Sequence, residues 1–135
     1  MDSTLKVRII LPSHILATLD ATMVIVPGSE GIFGVLPRHM KFISSIDIGL
    51  VKVHIDSAVK NFFVYGGIAE VSTEQLNIIT EFAALLEESE KHKIINKISE
   101  LEMELNDKDK NSIDAEIINN KISIHKSLLE FVINK

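Results

Sequence analysis

The chain has no cysteine, and therefore neither a disulfide framework nor a thiol nucleophile. Tryptophan is also absent, and only two of its basic residues, Arg8 and Arg38, are arginines. The formal net charge of -5 argues against a nucleic-acid binder, which would normally carry a basic patch or stripe. No apolar run approaches the roughly 20 residues needed to span a bilayer. The N-terminal apolar stretch Ile9 to Leu11 is too short for a signal peptide. The five histidines stand singly, so no tight metal-ligand spacing exists. These absences leave the expectation of a soluble intracellular chain of one or two small domains, docked on something larger.

What is present begins with the stretch Val24 to His39. Three glycines (Gly28, Gly31, Gly34) and two prolines (Pro27, Pro37) sit among β-branched and aromatic residues. Such a mixture predicts short strands joined by tight turns. A helix would lose about 1 kcal/mol at each glycine and about 3 at an interior proline.

Residues 5 to 80 read as β structure throughout. Leu5, Val7, Ile9 and Leu11 alternate with other residues in a period-2 strand, and further strands are expected over Ile15 to Leu19 and Ala21 to Val26. Phe42 and Ile43 lead to Ile46, and Asp47-Ile48-Gly49 is expected to turn. Leu50 to Ile55 forms a strand broken at Asp56-Ser57, and Val59 to Tyr65 forms the next, ending in Gly66-Gly67. That glycine pair predicts a bulge or a positive backbone angle. Ile68 to Val71 and Leu76 to Ile79 close the domain. Short strands at this spacing describe a sandwich or flattened barrel, since no gap holds the helical crossover a parallel doubly wound sheet needs.

From Glu81 the period changes. Ile94, Ile98, Leu101 and Leu105 step by four, three and four, predicting one amphipathic helix from Glu87 to Leu105. Glu87, Glu88 and Glu90 would then lie at its start, facing the positive end of the helix dipole. A polar link at 106–112 follows, with Asn111 or Ser112 to cap a second helix. That helix presents Ile113, Ile117, Ile118, Ile122, His125, Leu128 or Leu129, and Val132. The pair is expected to form an antiparallel hairpin, giving a division into 1–83, all β, and 84–135, α-helical. Ile95, Met103, Ile118 and Ile124 are expected to include contacts beyond the hairpin itself.

Chemistry-bearing patterns are scarce. Gly28-x-x-Gly31-x-x-Gly34 matches neither G-x-x-x-x-G-K-[ST] nor G-x-G-x-x-G, and no helix follows to receive a phosphate. The clustered glutamates are better explained by a helix start than by an acid/base pair, which needs two carboxylates facing a cleft. His14, His54, His92 and His125 show no triad-like company. His39 either holds its own loop or meets a partner.

Gly28-Ser29-Glu30-Gly31, Phe33-Gly34-Val35-Leu36-Pro37 and His39 resemble the N-terminal signature of the epsilon subunit of F-type ATP synthases, called delta in mitochondria. Ile46-x-x-Gly49, Val64-x-Gly66-Gly67-x-x-Glu70-Val71 and Leu76-x-Ile78-Ile79 resemble it further. The resemblance implies a non-catalytic rotor subunit of the central stalk, without catalytic residues, cofactor or metal. It implies that the β domain joins the gamma subunit to the c-ring, through Ser29, Glu30, Gly31, Ile32, Arg38 and His39. It also implies a peripheral place on the cytoplasmic side of a bacterial inner membrane. The hairpin of such subunits can extend along gamma to reach the alpha and beta subunits and obstruct ATP hydrolysis.

Two departures limit that reading. Some relatives bind regulatory ATP through a motif resembling Ile/Leu-Asp-x-x-Arg-Ala. Here Leu86-Glu87-x-x-Glu90-Lys91 replaces the arginine with an acid, and Ser89-Glu90-x-x-Lys93-Ile94 keeps only a lysine, so ATP binding is not expected. On the last helix Lys121, Lys126 and Lys135 are balanced by Asp114, Glu116 and Glu130, which predicts weak or absent inhibition. The rival readings are a free-standing β-sandwich interaction adaptor and a small hydrolase.

Overall fold

The computed structural model describes residues 4–38 and 40–134. The chain divides into two compact units, the first ending at Glu87 and the second beginning at Glu88. The first unit is all β. Its strands are β1 (Leu5–Ile10), β2 (Ile15–Ala21), β3 (Met23–Gly28), β4 (Gly31–Val35), β5 (Phe42–Ile55), β6 (Ala58–Val71), β7 (Gln75–Ile79) and β8 (Ala83–Leu85). They are ordered β2-β1-β7-β6-β5-β3-β4, with β8 added to β6. All pairs are antiparallel except β1 with β7.

The two longest strands generate both layers of the sandwich. Residues 68–71 of β6 pair with β7 and residues 62–64 with β8, while β5 carries β3 along its second half. The β5–β6 hairpin therefore belongs to one layer at one end and to the other layer at the opposite end. Asp56, with φ 54, takes the left-handed conformation that reverses the chain between the two strands.

The expected turn at Asp47-Ile48-Gly49 is not a turn: it lies inside β5. Nor does β6 stop at Gly66-Gly67; it continues to Val71. Pairing is in one register on both sides, from Ile46–Gly67 to Ile48–Tyr65, so the ladder bends without slipping. The expected positive angles are present, φ 72 at Gly66 and φ 130 at Gly67. A Cβ at Gly67 would run into the carbonyl of Ile79 on β7. Glycine is thus needed twice over, for the angle and for the close approach of the neighbouring strand.

Alternation decides which side chains fill the interior. Leu5, Val7 and Ile9 of β1, Val24 and Val26 of β3, Val51 and Val53 of β5, Phe62 and Val64 of β6, and Leu76 and Ile78 of β7 form one buried cluster. Each such side chain contributes about 1.5–3 kcal/mol when removed from water. Phe63 is also buried, on the opposite face of β6, and meets the Phe82 ring edge-on at 6.1 Å. Strand β8 follows Ile79, where the sequence pattern ends the β region; Leu85, Ala84 and Ala83 pair with Phe62, Phe63 and Val64.

The second unit is a pair of helices, α1 (Lys91–Asn106) and α2 (Ile113–Ile133). The first helix starts four residues later than Glu87. Leu86–Glu88 forms a 3-10 turn, Glu90 is the N-cap without a side-chain cap bond, and the first turn holds no acidic residue. The glutamates therefore do not serve α1 as expected; Glu87 bonds to Asn61, and Glu90 faces His92 and Lys93. Ser112 does cap α2, its Oγ accepting from the Ala115 N–H at 3.1 Å.

Ile94, Ile98 and Leu101 are buried as their spacing predicts. On α2 the buried residues are Ala115, Ile118, Ile122, Ile124, Leu128 and Val132. Ile113 and Ile117 are exposed instead, a correction that follows from the register: a stripe through Ala115, Ile118 and Ile122 turns both of them toward water. Ile95 and Met103 are exposed as well.

Gly67→Ala is expected to lower the unfolding free energy by about 3 kcal/mol, through the strained angle and the collision with β7. Urea denaturation of the wild-type and variant chains measures this directly.

Candidate functional site

Of the candidate contact residues that the structure describes, Ser29 and Glu30 form a turn, Gly31 and Ile32 begin β4, and Arg38 lies in the loop after it. Gly28 and Gly31 are paired across β3 and β4, leaving Ser29-Glu30 as a two-residue hairpin loop with Gly31 at φ 136. A Cβ on Gly28 would lie 2.7 Å from Cε1 of Phe33, so this position brings the backbone against the Phe33 ring. The Phe33 ring in turn meets Phe42 edge-on at 5.3 Å, fixing β4 to the start of β5. The Ser29 N–H donates to the Ser45 carbonyl at 3.0 Å, so the turn is also held to β5 by its backbone.

Arg38 lies in the following loop with φ 66, and its N–H donates to the Thr73 carbonyl at 2.6 Å. That bond joins the loop to the β6–β7 turn. His39 lies outside the described residues. Two open clefts flank Ile43: one is lined by Ser29, Glu30, Ser44 and Ser45, the other by Lys41, Phe42, Glu70, Val71, Ser72 and Asn77. The structure therefore brings Ser29 and Glu30 beside the start of β5, and ties Arg38 to the turn after β6. Ile32, opposite Pro27 on β4, is 77% exposed.

Charge in this region is mixed. Glu30, Arg38, Lys41 and Glu70 are all exposed, and no salt bridge joins them among the described residues. The more prominent feature is apolar: Met40 is 80% and Ile43 is 72% exposed.

A second surface escapes the sequence reading. Outward-facing residues of four adjacent strands align in a row, Ile15–Ile10–Ile79–Ile68, each opposite the next through the strand register. Ile15, Ile79 and Ile68 are exposed and Ile10 is half-buried. The neighbouring row is Arg8–Asn77–Glu70–Ile43, where Asn77 Nδ2 donates to Glu70 Oε1 at 3.3 Å. A signal for the apolar row was present. Ile10 beside Ile9, Ile79 beside Ile78 and Ile68 beside Ala69 each put an apolar residue where alternation assigns water. Only the strand order shows that the three belong together.

Among the described residues no group of His, Asp and Glu has the arrangement to hold a metal ion. Every buried side-chain nitrogen and oxygen among them has a hydrogen-bond partner. What the site offers is a stiff, mixed-polarity end and an apolar sheet face, which are the materials of a protein interface. No helix among the described residues is long and apolar enough to cross a membrane.

Comparison with known proteins bears on this surface. Residues 4–85 match the family model described as the ATP synthase delta/epsilon chain, beta-sandwich domain. An ATP synthase epsilon chain from Rickettsia conorii is 38% identical over 110 residues, covering 79% of this chain and 98% of that one. The corresponding chain from Rickettsia bellii is 37% identical over 105 residues, covering 76% and 97%. About a fifth of this chain thus lies outside its match to the first of these relatives.

Two solved assemblies share the fold. A chain of the Euglena gracilis mitochondrial ATP synthase, OSCP/F1/c-ring, superposes with a TM-score of 0.64 at 19% identity, covering 96% of this chain and 79% of that one. A chain of the Tetrahymena thermophila mitochondrial ATP synthase central stalk and c-ring gives 0.53 at 13% identity, covering 93% and 96%.

The left-handed backbone at Arg38 generates a test of local strain. Arg38→Gly is expected to change stability by less than about 1 kcal/mol, since relief of the angle offsets the added chain entropy. Arg38→Val, branched at Cβ, is expected to cost about 1–2 kcal/mol more. Thermal and urea unfolding of the two variants measure the difference.

Proposed function

The chain belongs to the ATP synthase delta/epsilon family, and from that premise we propose that it acts in the central stalk as a non-catalytic coupler between the gamma subunit and the c-ring. The observation that carries this reading is the family match itself, which spans the β-sandwich and ends at Leu85, the last residue of β8. Two surface features support it. The sandwich ends in loops fixed by backbone bonds, and one sheet face carries an exposed apolar row.

In this proposal the isoleucine row takes gamma. A rotor joint must transmit torque without slipping, and apolar burial over a rigid sheet gives a large, well-packed contact. The end bearing Ser29, Glu30, Gly31, Ile32, Arg38 and His39 takes the c-ring. With Ile32, Met40 and Ile43 exposed there, that contact combines apolar packing with a few charges.

The assembly is peripheral on the bacterial inner membrane, with this subunit on the cytoplasmic side. Its own chain supplies no catalytic residue; ATP chemistry belongs to neighbouring subunits. The hairpin is a weak inhibitor or none, because the lysines of α2 are matched by Asp114, Glu116 and Glu130. Near the start of α1, Glu90 or Lys93 in place of the arginine leaves regulatory ATP without a phosphate-binding fork.

Capture of the purified chain by gamma tests the reading, with three variants run alongside. Wild type is expected to co-purify with gamma. Ile68→Asp combined with Ile79→Asp is expected to weaken capture at least tenfold, as two buried charges would each demand desolvation. Arg38→Glu and His39→Ala are expected to leave gamma binding intact and to weaken binding to the c-ring. A folded double variant that still binds gamma at the wild-type level would remove the apolar row from the interface, and a wild-type chain that ignores gamma would remove the whole reading.

A further inference from the structure

Strand β1 runs between β2 and β7. Leu5, Val7 and Ile9 face the interior, so Lys6, Arg8 and Ile10 face outward. Ile10 belongs to the isoleucine row, and Arg8, two residues back along the strand, belongs to the row Thr18–Arg8–Asn77–Glu70. Two residues of strand advance about 7 Å, so the apolar and polar rows run side by side at that spacing. A standard interface removes about 800 Å² from each partner, far more than four partly exposed isoleucines present. A partner seated on the isoleucines therefore covers Arg8 as well.

Arg8 enters that contact with its charge uncompensated. The residue is half-buried, yet its guanidinium has neither a hydrogen bond nor a carboxylate partner among the described residues. Its polar neighbours are engaged with one another. Asn77, opposite Arg8 on β7, accepts from Gln75 Nε2 through Oδ1 at 3.0 Å and donates to Glu70 Oε1 at 3.3 Å. Glu70 stands beyond Asn77, two strand spacings or about 10 Å from Arg8 along the row. On the other side Thr18 is opposite Arg8, and Asp20 is opposite Lys6. The guanidinium donors are left to water.

Resting on the reading that gamma covers the isoleucine row, we propose that Arg8 pairs with a carboxylate on gamma and that this pair sets the orientation in which gamma seats on the sheet. An arginine sealed under a partner without an acceptor opposes binding, because desolvating an unpaired charge costs more than burying an isoleucine returns. A carboxylate removes that penalty and engages the planar fork through two parallel N–H bonds. The apolar row by itself has no direction, since Ile15, Ile10, Ile79 and Ile68 present the same side chain on each strand. Arg8 and Glu70, two strands apart and opposite in sign, break that symmetry. Gamma turned end for end would set its acid against Glu70, and like charges in a contact are repelled.

Gamma binding by the full chain, titrated at two salt concentrations, tests this. Arg8→Met, which keeps an apolar stem, is expected to weaken binding about thirtyfold and to reduce its salt dependence. Arg8→Lys, with the charge but not the fork, is expected to lose about fivefold. Both are expected to keep the wild-type unfolding midpoint, since the Arg8 side chain bonds to nothing among the described residues. Arg8→Glu is expected to lose more than Arg8→Met, and one acid-to-arginine change on gamma is expected to recover it at least tenfold. A wild-type chain that does not bind gamma ends the functional reading, and this proposal with it. Binding that requires Ile68 and Ile79 but is unchanged in Arg8→Met leaves that reading standing and overturns this proposal alone. So does the failure of every acid-to-arginine change on gamma to rescue Arg8→Glu, or a lowered midpoint in Arg8→Met, which would give the side chain a role in the fold instead.

Discussion

The molecule depends on one continuous antiparallel ladder. Strands β5 and β6 pair from Ile55–Ala58 at the hairpin tip to Phe42–Val71 at the far end, bending at Asp47 and Gly66-Gly67. A sandwich built from separate strands would hold its layers together through side-chain packing alone. Here the backbone hydrogen bonds of a single hairpin run from one layer into the other. Sliding one layer over the other would require breaking that ladder as well as opening the valine, leucine and isoleucine interior between them.

That stiffness is what a coupling subunit needs. The surfaces proposed for partners are carried by elements attached to this ladder. The Ser29-Glu30 turn is bonded to Ser45 at the start of β5, and the Arg38 loop to Thr73 just beyond β6. The isoleucine row crosses β2, β1, β7 and β6 without interruption. Force applied at either surface enters the β5–β6 hairpin within one or two hydrogen bonds. The glycines that give the family signature its appearance serve the same end. They allow the close approaches at Phe33 and Ile79 that fix turn and bend.

Much of this was legible in the sequence because it depends on neighbours in the chain. Alternation located the interior of β1, and four-three spacing located the buried side of α1. The family resemblance through Gly28 to His39 and Gly66-Gly67 led to the delta/epsilon family that the comparisons establish. The features that were missed depend on neighbours in space. Asp47-Ile48-Gly49 has turn composition, yet the partner strand supplies the glycines and the ladder continues through it. Ala83-Ala84-Leu85 has no strand signal and becomes β8 only because Phe62 to Val64 offer a free edge. The glutamates before α1 looked like a helix start until Asn61 claimed Glu87. The isoleucine row needed the strand order, including the parallel pairing of β1 with β7, which no local pattern encodes.

The central claim, that one bent hairpin makes the two layers a single rigid body, is tested most directly by native-state amide exchange along β5 and β6. The claim predicts that interior amides on both sides of the bend, such as those of Val51, Val64 and Ala69, exchange only through global unfolding and share one opening free energy. Two distinct opening free energies, one on each side of Asp47 and Gly67, would show that the layers open separately and would contradict it.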